Sequence, residues 1–132
     1  MNIKTKLFIG LVAINVFAWS TNARAEAPTD QEIAQVKIQM KGLRADEPWI
    51  YHLVCVTAHH IAASDKGLID RAAHRVLQEA HFYSFKETGG FTHTEAATYF
   101  EKSVDLSWEE IAKGTQNLED MAALANLCSV NQ

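Results

Sequence analysis

The sequence predicts an all-α fold: a small bundle of five or six helices with a central antiparallel hairpin and one disulfide. Three observations carry this. Apolar residues recur at three- and four-residue spacing along most of the chain beyond position 26. Ser, Thr, Asp and Asn precede several of these runs at capping distance. No run alternates with a period of two for long enough to make a strand.

Residues 1–25 read as a secretory signal peptide. Lys4 and Lys6 open it, Leu7–Trp19 is an apolar run of 13 residues, and Ala23-Arg24-Ala25 has the small-x-small form of a cleavage site. The apolar run is too short to span a bilayer comfortably. The expectation is a periplasmic or secreted protein, not inserted in a membrane once the signal is removed, with residues 26–132 forming one helical domain.

The elements follow in order. Thr29 with Glu32 forms a capping box, and Ile33, Val36, Met40 and Leu43 recur at helical spacing, with Gly42 as the expected stop. Asp46 and Glu47 precede Pro48, which is tolerated in a first turn because its missing amide has no helical partner. From Trp49 to Ala63, Ile50, Val54, Thr57, Ala58 and Ile61 share a face. Ser64-Asp65-Lys66-Gly67 is a short break, so the next helix must return antiparallel. That helix carries the clearest stripe: Ile69, Ala72, Ala73, Val76, Leu77, Ala80 and Tyr83.

Gly89-Gly90 marks the one flexible loop. Thr92 with Glu95 caps a helix expected to end near Ser103. Ser107 with Glu110 reads as a further box opening a short helix over 108–113, which Gly114 ends. Asn117 caps a last helix with Leu118, Met121, Ala122, Ala125 and Cys128 on its apolar face. Trp49 and Trp108 are expected core anchors near helix starts.

Charge and cysteines narrow the function classes. The chain has 12 Lys+Arg against 16 Asp+Glu; removal of the signal takes Lys4, Lys6 and Arg24 and leaves a net charge of about −7. That disfavours nucleic acid, which selects clustered cations, and fits a basic protein partner. Cys55 and Cys128 permit one pairing, expected as a disulfide in an oxidising compartment.

All six histidines lie between positions 52 and 93. Folding the hairpin about Asp65 and Lys66 places residue i opposite roughly 133 − i, which sets His59 near His74 and His52 near His81. Facing imidazoles on antiparallel helices are how bundles hold metals, so these four are an alternative metal set. The helical wheel opposes it, putting His52 and His59 away from the apolar face and predicting solvated rings. No H-E-x-x-H or C-x-x-C-H motif accompanies them, and no serine-nucleophile, phosphate-loop or dinucleotide signature occurs. The carboxylate pairs sit at helix starts, where they favour the dipole.

Phe82, Phe85 and Phe91 gather around the flexible loop as a candidate partner-contact patch, with packing beneath the loop as the competing reading. The functional expectation is a small exported protein that binds another protein in the cell envelope, of inhibitor, immunity or secretion-accessory type, with no cofactor and no catalysis. A histidine-based metal-binding protein and an acid-responsive periplasmic chaperone are the alternatives, the latter because histidine titrates near physiological pH.

Overall fold

The computed structural model describes residues 27–64 and 71–130. The expected signal peptide and the Asp65–Gly67 break lie outside the described residues. Five helices, and no strand among the described residues, make a small all-α bundle. They are α1 (Asp30–Asp46), α2 (Pro48–Ser64), α3 (Arg71–Gly89), α4 (His93–Lys113) and α5 (Leu118–Val130).

The helix starts follow local chemistry. Thr29 accepts from the Glu32 amide at 3.1 Å while the Glu32 carboxylate accepts from the Thr29 amide at 3.0 Å. Thr92 and Glu95 repeat this arrangement at the start of α4, and Asn117 and Asp120 build its equivalent before α5. Glu47 serves two helices: its amide donates to the Leu43 carbonyl at 2.7 Å, and its own carbonyl accepts from Ile50 and Tyr51. Pro48 then takes the first position of α2.

Two expected boundaries are displaced. Gly42 does not stop α1, which runs on to Asp46: a single glycine costs about 1 kcal/mol in a helix interior, too little to end one that continues favourably. Ser107 does not open a new helix either. Ala96, Tyr99, Ser103 and Ser107 form one buried stripe along a continuous 21-residue α4, and this packing overrides the local capping signal. Gly114 ends α4 at a φ of 82°, donating to the Glu110 and Ile111 carbonyls.

α2 is the axis of the molecule. It packs against α1, α3, α4 and α5, and every residue from Trp49 to Ala63 except His52 and His60 is buried. Val36 and Met40 cover it from α1, and Met121, Leu124, Ala125 and Cys128 from α5. Cys55 and Cys128 form the expected disulfide, Cα to Cα 5.7 Å, bolting α5 to the middle of α2. Between α2 and α4, Thr57 donates to the Leu53 carbonyl at 2.8 Å, so the Ser103 hydroxyl donates to Thr57 at 2.6 Å.

α3 reverses the expected polarity. Most of its expected apolar stripe faces outward: Val76 and Tyr83 are 68% and 64% exposed, Ala72, Ala73 and Ala80 are also exposed, Leu77 is half-buried, and Ile69 lies outside the described residues. His74, His81 and Phe85 face α2 instead. Trp108 is half-exposed on α4, not a core anchor, whereas Trp49 is buried as expected.

Candidate functional site

The site begins with the composition of α2. A helix covered on all sides buries whatever it carries, including residues opposite its most apolar line. His59 is therefore fully buried, and His74 and His81 on α3 are buried against it, with His52 half-buried at the end of the row. This corrects the expectation of solvated rings. The wheel assumes one apolar face per helix; a central helix has none that is outermost. The signal of all-round burial was the absence of any Asp, Glu, Lys or Arg over 49–63, where apolar residues fall on every side of the helix.

The hairpin register holds. His59 Nδ1 lies 2.8 Å from His74 Nδ1, and His52 Nδ1 lies 2.9 Å from His81 Nδ1. His59 and His81 stack between the two pairs with ring centroids 5.6 Å apart and planes 16° from parallel, so four imidazoles form one continuous seam. At each nitrogen–nitrogen contact one ring donates and the other accepts, which assigns opposite tautomers to the partners. A pair can take one extra proton and keep its hydrogen bond, but only by burying a charge. A second proton sets two N–H groups head to head.

The surroundings oppose that charge. Burial holds His59 down to about 3, with the His81 and His74 charges adding to it, and burial followed by His52 and Arg44 holds His81 down to about 4. His52 is lowered by burial and then by Arg44. Arg44, reaching from α1, sits over the Tyr51 ring at 5.5 Å, and Tyr51 meets His52 and His81 edge-on at 5.1 and 6.0 Å. His59 Nε2 finds no hydrogen-bond partner among the described residues. Among those residues no three His, Cys, Asp or Glu side chains converge to hold a metal ion.

Of the aromatic candidates, Phe85 and Phe91 are buried and do not form a contact patch. They pack together at 5.0 Å, and Phe91 meets Trp49 and Tyr99 edge-on at 6.2 and 5.0 Å, because the Gly89-Gly90 turn folds Phe91 back under α3. Phe82 alone stays half-exposed, against Phe100 and His93. It lines a groove between α3 and α4 with Phe100, Glu79 and Glu101. The last three escaped the sequence reading because each is unremarkable until the two helices are set side by side.

Comparison with protein-family models, curated proteins and solved structures finds no match for this chain.

Proposed function

We propose that the protein is an exported, acid-responsive binding protein of the chaperone type, closed at neutral pH and opened by proton uptake along the histidine seam. The observation that carries this reading is the pairing of buried His59 with His74, and of half-buried His52 with buried His81, between α2 and α3, while Ala72, Ala73, Val76, Ala80 and Tyr83 of α3 face solvent. α3 is thus held along its length by groups that lose their place when charged, and at its C-terminal end by Phe85. Arg44 and Tyr51 are among the described groups that face the seam, and Arg44 adds positive charge that resists protonation until the solution is acidic.

Opening α3 uncovers the apolar flank of α2, a surface for unfolded clients. The disulfide joins α2 to α5 and leaves α3 untethered, so the rest of the bundle stays assembled while α3 departs. Export is supported by the charged, apolar and small-residue pattern of residues 1–25 and by the disulfide. No described helix is long and apolar enough to cross a membrane.

The test is client protection against pH. The oxidised protein should suppress aggregation of an acid-denatured client near pH 4 and not at pH 7.5, with exposed apolar surface appearing over the same interval. His59→Leu with His74→Leu replaces both members of one pair by apolar groups, a change tolerated where neither partner is orphaned. It should fold at pH 7.5 and shift the onset of protection to lower pH. Protection equal at both pH values, or unaltered in the double variant, refutes the reading.

A further inference from the structure

α3 and α4 each pack on α2 more than they touch one another, which leaves a groove of about 340 Å³ between them. Its walls are Gln78, Glu79 and Phe82 from α3 and Ala97, Phe100 and Glu101 from α4. The floor is aromatic: Phe82 and Phe100 are half-buried and meet edge-to-face at 6.0 Å. Glu79 and Glu101 stand exposed on opposite walls, neither ion-paired among the described residues. Arg75, the nearest cation along α3, is turned to Gln78 and His60.

We infer that this groove is a docking site for a basic segment of a partner protein, seating an Arg or Lys side chain over Phe82 and Phe100 between Glu79 and Glu101. Charge complementarity names the occupant. An aromatic floor accepts both the aliphatic stem and the cationic head of such a side chain, and carboxylates on both walls fix the sign. A volume of this size suits one or two side chains, not a folded partner surface. The acidic balance of the whole chain, −4 before any processing, steers basic segments toward it. None of the seam histidines lines the groove, so the inference stands apart from the acid-responsive reading and its test is run at pH 7.5.

The probe is a fluorescein-labelled peptide, Ala-Ala-Arg-Leu-Arg-Ala-Ala, beside an analogue with citrulline in place of both arginines. Citrulline keeps the shape and removes the charge. The arginine peptide should bind the oxidised full chain at least tenfold more tightly than the citrulline peptide. Amide shifts should centre on the six groove residues. Glu79→Gln with Glu101→Gln, at exposed positions, should cost tenfold or more without changing the melting temperature; Phe100→Ala should abolish binding. Equal affinity for both peptides, shifts centred on Val76 and Tyr83, or no binding at millimolar peptide overturns the inference.

Discussion

His59 and His74 meet Nδ1 to Nδ1 at 2.8 Å in the interior, fifteen residues apart in sequence and both shielded from water. The two Nδ1 atoms satisfy each other there, and the contact is stable only while both rings stay neutral or take up one extra proton between them.

The first prediction is the pH dependence of stability. His59 and His81 are lowered from 6.5 in the unfolded chain to about 3 and about 4 in the fold. Their contribution is complete above pH 6.5 and is lost as the pH falls through the window between the unfolded and folded values. Linkage puts the loss between pH 7 and pH 5 at up to about 4 kcal/mol for the two together. Urea denaturation at both pH values should show a fall of that order. A midpoint independent of pH across this range contradicts it.

Reduction of the disulfide is the second. The bond closes a 73-residue loop, and chain entropy assigns it roughly 4 kcal/mol. Cys55→Ser with Cys128→Ser should lower stability by that order, with amide exchange rising first along α5, which the bond holds to α2.

Gly89 supplies the third. A Cβ there would meet the Phe91 ring at 2.1 Å, and that ring cannot retreat without leaving Trp49, Phe85 and Tyr99. Gly89→Ala should cost about 2–4 kcal/mol, read by thermal melting. Gly90, at a φ of 66° with open space around it, should cost less, from backbone strain alone.

A fourth concerns Tyr51. Its hydroxyl is buried with no partner among the described residues, so it contributes a desolvation cost and no hydrogen bond. Tyr51→Phe should leave stability unchanged or raise it by about 1 kcal/mol, measured in urea at pH 7.5.

Much of this was written in the sequence. The caps at Thr29, Thr92 and Asn117, the cysteine pairing and the hairpin register that sets His59 by His74 all follow from local spacing, and the structure shows each of them. What spacing does not carry is the number of neighbours a helix has. Treating α2 as one-sided put its histidines in water, and treating the α3 stripe as a core put Tyr83 inside. Ser107 likewise reads as a cap until Ala96, Tyr99 and Ser103 are seen to run into it on one buried line.

The bond between Cys55 and Cys128 also encloses most of the molecule in a covalent ring. Any single protease cut between those two positions leaves both pieces connected. The nicked protein would migrate with the intact species on a gel without reductant and divide in two only when thiol is added.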